Sequence, residues 1–269
     1  MGRSDPPPAI PGLVDTHCHL DYPPMSDDLD GTLAAARAAG VEQVVHVGCA
    51  PDTIDRAVAI ASAHRDVFAA VGVHPHDARD YDEHVEARLE ALLDAPKVVA
   101  LGETGLDYHY DRSPRATQRD ALARQAALAA RRRVPLVLHV RDAHDDALDV
   151  LAGVDLPAGG IVHCFTGDAA CARRWLDRGF HVSFSGIVTF PKAPEVAEAA
   201  RIVPTDRLLL ETDAPYLAPV PVRGRRNTPA NVAHTCAFVA RLRTTAPEVL
   251  AHETAQNARR LLGLPRPAA

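Results

Sequence analysis

Eight short apolar, valine-rich runs alternate with stretches of helical period along this 269-residue chain, and that alternation restricts its possible folds more than any other feature. The runs are LVDTHCHL, VEQVVHVG, VFAAVGVHP, VVALGETG, PLVLHVRD, GGIVHCFTG, FHVSFSGIV and RLLLETDAP. Between them the periodicity predicts helices at 29–39, 52–65, 83–94, 115–133, 144–152, 168–178, 194–202 and 232–243, with a closing helix at 247–262. Helix starts are marked by Pro51-Asp52, Asp168, Pro194-Glu195 and Pro247-Glu248. Near-continuous apolar strands separated by helices are parallel strands covered on both faces. Eight such units in about 250 residues match a single-domain α/β fold, the (β/α)8 TIM-type barrel. A doubly wound open sheet is the rival. It usually carries a glycine-rich phosphate turn, and no G-x-G-x-x-G follows a strand here. No shift in composition marks a second domain. The barrel is expected over 13–262, with a disordered proline-rich leader at 1–12 and a flexible tail at 263–269.

Polar residues collect at one end of these runs. His17 and His19 come late in the first run and His74 late in the third. Glu103, His139 and His163 follow the apolar part of the fourth, fifth and sixth. Glu211 and Asp213 follow "RLLL" in the eighth. In barrels the C-terminal ends of the strands form the catalytic face, so residues far apart in sequence are expected to meet at one mouth. Strand alternation puts His17 and His19 on one face, with Asp15 one pleat deeper and Cys18 opposite. Glu211 and Asp213 also share a face, and Asp213 lies nearer the mouth. Cys164 points away from the face of His163 and reads as packing; His46 and His64 read as incidental.

Neutral imidazoles with carboxylates suit Zn, Mn, Fe, Co, Ni or Mg. The set exceeds the needs of one tetrahedral site and is about right for two ions sharing a bridging carboxylate, the standard device for phosphoryl hydrolysis. Some barrel hydrolases bridge their ions with a modified lysine. The only lysines here, Lys97 and Lys192, lie before the fourth run and after the seventh, so Glu103 is the available bridge.

Composition narrows the setting. A formal charge of -6 argues against broad, non-specific coating of nucleic acid, yet leaves room for a narrow site that grips a few phosphates. The cysteine count, 5, is odd and contains no C-x-x-C, which speaks against a disulfide framework. The first residues, MGRSDPPPAIPG, lack the apolar core of a signal peptide, and no apolar run reaches the roughly 18 residues that span a bilayer. A cytoplasmic protein without membrane contact is expected, and no obligate protein partner is inferred.

Six segments carry a resemblance: "DTHCHLD" (15–21), "GVHPHD" (72–77), "GETGLDY" (102–108), "LHVRDA" (138–143), "VHCFTG" (162–167) and "ETDAPYL" (211–217), with "RGRRNTPANV" (223–232) behind them. In this order the chain resembles the TatD-related metal-dependent hydrolases and deoxyribonucleases, within the amidohydrolase-like barrels. The resemblance implies two divalent ions drawn from Mg, Mn, Zn, Co or Ni. His17, His19, Glu103 and Asp213 would hold one; Glu103, His139 and His163 would hold the other. It also implies a substrate-side His74 and an Arg141 that holds a phosphate oxygen through its rigid fork of donors. The chain departs from the family pattern at His109, Tyr110 and Asp111, at Val222 and at Asn231, positions expected to line the substrate side.

The implied reaction is hydrolysis of DNA phosphodiester bonds, by a 3′→5′ exonuclease acting on single-stranded or frayed ends. Water activated between the ions attacks phosphorus in line, Asp213 takes the proton, and the ions, His74 and Arg141 offset developing charge. Short single-stranded or 3′-end DNA is the expected partner. Arg223, Arg225 and Arg226 are candidates for a groove rim, and Tyr108, Tyr110, Phe165 and Tyr216 for base stacking, with core packing the alternative for Phe165. Asp107 is a candidate for a third ion. The alternative keeps the ions and changes the substrate: an amidohydrolase-like esterase or amidase, for example on aminoacyl-tRNA or a small metabolite.

Overall fold

Each apolar run becomes a parallel strand in the computed structural model, which describes residues 6–266. The strands are β1 (Leu13–Cys18), β2 (Val41–Gly48), β3 (Val67–Val71), β4 (Val98–Asp107), β5 (Leu136–Arg141), β6 (Gly160–Val162), β7 (Phe180–Phe184) and β8 (Leu208–Leu210). They pair in sequence order, each parallel to the next. The helices are α1 (Leu29–Ala38), α2 (Ile54–Ala63), α3 (Glu83–Leu92), α4 (Arg115–Arg132), α5 (His144–Leu151), α6 (Ala169–Asp177), α7 (Pro194–Ile202), α8 (Val232–Leu242) and α9 (Pro247–Leu262). This is the (β/α)8 barrel that the alternation predicts.

Strand and helix boundaries follow local chemistry. Asp168 caps α6 through the Cys171 amide, and Pro194 and Pro247 open α7 and α9. The expected start at Pro51-Asp52 is corrected: α2 begins at Ile54, and its cap residue Thr53 makes no side-chain capping bond. Asp28 and Asp82, which the periodicity passed over, cap α1 and α3. Strands β6 and β8 stop at Val162 and Leu210, so "HCFTG" and "ETDAP" leave the ladder.

Both strand faces are dry. The inner face gathers Val14, Val45, Val47, Phe68, Ala70, Ala100, Val137, Ile161 and Leu209, and α9 closes over it with Ala255, Ala258 and Leu262. The outer face packs against the surrounding helices, with Trp175 of α6 fully buried. Within the described residues, parts of the expected leader and tail pack on the barrel. Ile10 is buried and donates its N–H to the Ala39 carbonyl. Leu264 is buried and the Pro265 carbonyl accepts from Gln43 Nε2. An apolar side chain near each end gains by packing on the barrel floor. The remainder of both segments, 1–5 and 267–269, lies outside the described residues. All five cysteines are unpaired. Among the described residues no helix is long and apolar enough to cross a membrane.

The first and last strands meet beyond the end of β8. The Asp213 N–H donates to the His17 carbonyl at 2.9 Å, and the His19 N–H to the Ala214 carbonyl at 2.7 Å. Asp15, expected one pleat deeper than the histidines, locks this seam, accepting from the Thr212 backbone N–H at 2.9 Å and its hydroxyl at 2.6 Å. Leaving such a buried donor unpaired costs about 1–3 kcal/mol. The seam brings His17, His19 and Asp213 together across nearly two hundred residues of sequence.

Candidate metal centre

Glu103 stands near the middle of the mouth because β4 and β5 approach unusually closely. A Cβ on Gly102 would lie 2.4 Å from the Val137 carbonyl oxygen, and one on Gly105 1.8 Å from that of His139. Both glycines also have positive φ, a conformation that other residues resist. The pair therefore lets the β5 backbone press against β4 and bring His139 to Glu103.

The two carboxylate oxygens of Glu103 face different groups. Oε2 lies 3.3 Å from His17 Nε2 and 3.9 Å from His19 Nε2. Asp213 Oδ1 joins that side, 3.5 Å from His19 Nε2 and 3.9 Å from His17 Nε2. Oε1 lies 2.7 Å from His163 Nε2, 2.9 Å from His139 Nδ1 and 3.5 Å from His74 Nε2. The potential ligand atoms of His17, His19 and Asp213 all lie within 4.8 Å of one another, as do those of His74, Glu103 and His139. His17 and His163 stack at 3.8 Å between ring centroids and join the two sides.

In His19, His139 and His163 the far nitrogen indicates what the near nitrogen offers. His19 Nδ1 lies 3.3 Å from the Val47 carbonyl, His139 Nε2 lies 3.3 Å from Asp107 Oδ2, and His163 Nδ1 lies 3.2 Å from Glu211 Oε1. A carbonyl or carboxylate accepts a hydrogen bond, so it holds the proton on the far nitrogen and leaves a lone pair facing Glu103 and Asp213, the arrangement of metal-binding histidines. His74 is reversed. Its Nδ1 accepts from the His76 N–H at 3.1 Å, so the neutral ring carries its proton on Nε2 and presents a donor to the mouth. Burial, reinforced by the charge of His139 and opposed by Glu103, pushes the His74 imidazole down to about 4, so this ring is neutral near pH 7.

Electrostatics at the site describe a cage that demands positive charge. Burial opposes ionisation of Glu103, but His163, His74, His17 and the hydrogen bond from His139 outweigh it and hold the carboxyl well below its usual range. Burial likewise opposes charge on His163, yet Glu103 and Glu211 raise it well above its ordinary value. Burial also opposes charge on His19, and Asp213 above all overcomes it. Protons on these rings balance the carboxylates as cations would. His17 Nε2 and Glu103 Oε2 are buried without hydrogen-bond partners, although both are strong polar groups. Two acidic side chains and four imidazoles, with unpartnered buried atoms on His17 and Glu103, fit divalent ions.

The expected residues His17, His19, Glu103, His139, His163 and Asp213 thus converge, with His74 beside the His139 side. Arg141 ends β5 two residues past His139, with its guanidinium 4.9 Å from the Tyr110 ring centroid. Three participants were not assigned these roles from sequence. Asp107 Oδ2 contacts both His139 Nε2 and, at 3.0 Å, His76 Nε2, while its Oδ1 accepts from the His109 and Tyr110 amides. Glu211 backs His163 and accepts from the Cys164 N–H at 2.6 Å. The parity of Asp107 with Glu103 along β4, and of Glu211 with Asp213 after the eighth run, were the available signals for those two; no local pattern signalled His76.

Other expectations change. Phe165 is buried in the core and is removed from the stacking candidates. Tyr108 donates its hydroxyl to Asp146 and lies under Arg115. Val222 and Asn231 do not present free side chains to a substrate: Val222 is buried, and Asn231 donates to Asn227 Oδ1. His109 faces Asp142, and Asp111 pairs with Arg115. Arg223 stacks 4.0 Å from the Phe190 ring centroid. The Cys164 thiol lies against the Ser185 hydroxyl, and burial raises it well above the usual range, which suits packing rather than nucleophilic attack. His46 accepts from the Leu20 N–H and serves the β1 turn.

Comparison with known proteins agrees with this geometry. The family described as TatD related DNase matches residues 14–263. A Bacillus subtilis protein described as the uncharacterized metal-dependent hydrolase YabD is 42% identical over 250 residues, covering 93% of this chain and 98% of its own. A Cronobacter turicensis protein named 3'-5' ssDNA/RNA exonuclease TatD is 41% identical over 256 residues, covering 93% and 95% respectively. The crystal structure of YJJV, a TatD homologue from Escherichia coli K12, superposes with a TM-score of 0.90 at 32% identity, over 94% of this chain and 98% of that one.

Proposed function

Because the chain belongs to the TatD-related DNase family and is a metal-dependent hydrolase, we propose that it cleaves phosphodiester bonds of DNA from the 3′ end, on single-stranded or frayed segments. The observation that carries this reading is Glu103, whose two oxygens each address a separate histidine group. In this reading His17, His19, Asp213 and Glu103 would hold one divalent ion, and Glu103, His139 and His163 would hold the second. The bound pair supplies water acidic enough to act as a nucleophile near neutral pH and offsets negative charge on the phosphoryl group.

The chain's own residues do the rest. Asp213 is ionised, because hydrogen bonding and charge from His19, His163 and His17 override the burial that opposes it, and it receives the proton of the attacking water. His74 donates from Nε2 to a phosphoryl oxygen. It is a donor and not a ligand, because His76 fixes its tautomer. Arg141 holds a second phosphate oxygen, its guanidinium steadied on Tyr110. Asp107 acts through His139, fixing its ring. Replacing such a supporting carboxylate costs about 10- to 100-fold in metal affinity or activity. Asp107→Asn is therefore expected to lower activity by about that factor while the His17 side stays loaded, as measured by metal analysis and turnover.

Digestion of end-labelled single- and double-stranded DNA and RNA, scanned over Mg, Mn, Co and Zn, tests the function. Stepwise shortening from the 3′ end of single strands, blocked by inorganic phosphate, is the expected result. Ester turnover indifferent to phosphate, with no nucleotide released, would overturn it in favour of acyl hydrolysis. In the same assay Arg141→Ala should raise KM by about 10- to 100-fold, the worth of a charged hydrogen bond, at unchanged metal content. Loss of metal would refute the role given to this arginine.

A further inference from the structure

We propose that Tyr22 and Tyr216 form a stacking platform for a nucleobase beside the His19 and Asp213 side of the metal centre. The proposal rests on the phosphodiesterase reading above and names the part of the substrate that this wall of the mouth recognises.

The exposed aromatic side chains among the described residues are Tyr22, at 41%, Tyr110, at 53%, and Tyr216, at 47%. All three border the site. Tyr110 lies against His76 and is already engaged by Arg141 and Arg112. Tyr22 and Tyr216 face each other instead, with ring centroids 6.3 Å apart and planes inclined at 63°. Each also meets the His19 ring edgewise, at 5.8 Å and 6.2 Å. A flat heterocycle laid on one ring would meet the edge of the other, next to an imidazole that faces Asp213.

The exposure is built rather than incidental. The Tyr22 N–H donates to the His19 carbonyl, while its own carbonyl accepts from the Met25 and Ser26 amides; Met25 is fully buried and anchors the turn. The Tyr216 N–H donates to the Asp213 carbonyl, and its carbonyl accepts from Asn227 Nδ2 at 2.7 Å. Asn227 is itself fully buried, with its Oδ1 held by Asn231. Two separate loops thus hold rings in the open at one point of the rim, against the tendency of aromatic surface to be buried. Tyrosine loses little side-chain freedom on contact and offers a rigid face. Any of the four bases presents a π-face to it, so the platform favours nucleotides without selecting among them.

The test uses the metal-loaded enzyme and two 5′-labelled pentanucleotides, one all thymidine and one whose two 3′-terminal residues are abasic. Wild type is expected to prefer the thymidine substrate by about tenfold or more in kcat/KM, mainly through KM, in line with stacking on a single base. In the Tyr22→Ala/Tyr216→Ala variant that preference should fall to near unity. The Tyr22→Phe/Tyr216→Phe variant should retain it, because the ring and not the hydroxyl does the binding. Should the alanine variant lose metal, Tyr22→Leu carries the same comparison. A preference unchanged in the alanine or leucine variants, or lost in the phenylalanine variant, overturns the platform while leaving the phosphodiesterase reading intact. A wild type that cleaves neither oligonucleotide overturns that reading itself, and the platform with it.

Discussion

Glu103→Gln is expected, on the proposed two-ion reading, to lower turnover by about 10³-fold or more, because such a device contributes several kcal/mol to the transition state and each 1.36 kcal/mol is tenfold in rate. Glutamine keeps the volume of glutamate at this buried position, so the strand packing around Gly102 and Gly105 has no reason to change. It does not keep the symmetry. One carboxylate oxygen becomes an amide nitrogen, a donor, and that donor must face either His17 and His19 or His139 and His163. Either way one group of lone pairs meets a hydrogen instead of a shared anion, and the charge that attracts both ions is gone. Metal analysis should show both sites weakened, with an unchanged circular dichroism spectrum. A variant that retained two ions and turnover within tenfold of wild type would show that Glu103 is not the bridge.

The second large effect is expected from His139→Ala. This side chain is partly exposed at the rim and belongs to the Oε1 side alone, so its removal should spare the fold and the His17, His19 and Asp213 group. We expect metal content to fall by about one ion per chain and turnover to fall by about 10³-fold, since the Oε1 side would lose a ligand that the proposed two-ion chemistry requires. Metal stoichiometry separates this variant from Asp107→Asn, which leaves the imidazole in place but unsteadied. Unchanged stoichiometry in His139→Ala would place the second ion elsewhere, and loss of both ions would mean that the two sides are not separable.

Much of this architecture was legible because barrel strands repeat a simple rule. Apolar residues buried on both faces are conspicuous in a run, and polar residues that interrupt the same end of several runs point to one rim. His17, His19, His74, Glu103, His139, His163 and Asp213 were all readable in this way, and the resemblance to a known family sorted them into two sides. Capping by Asp168 was equally plain, since it depends on a few neighbouring residues. Phe165 could be read either as a stacking ring or as core, because adjacency to His163 in sequence does not say which way its ring turns; it turns inward. The role of Asp15 was not legible, because its partner Thr212 arrives with the seam between β1 and β8. Tyr22 was missed for a related reason: its partner, Tyr216, arrives from the other end of the chain.

What the sequence determined by itself was the order of strands and helices, the barrel class and the kinds of side chain at its mouth, because burial and periodicity are properties of neighbours along the chain. How those side chains share their protons and partners emerges only in the folded barrel. The tautomer of His74 depends on one amide of the following turn, that of His139 on Asp107, and that of His163 on Glu211. A hydrogen bond is sensitive to tenths of an ångström and to direction, and contacts between residues tens to hundreds of positions apart acquire a distance only when the sheet has closed.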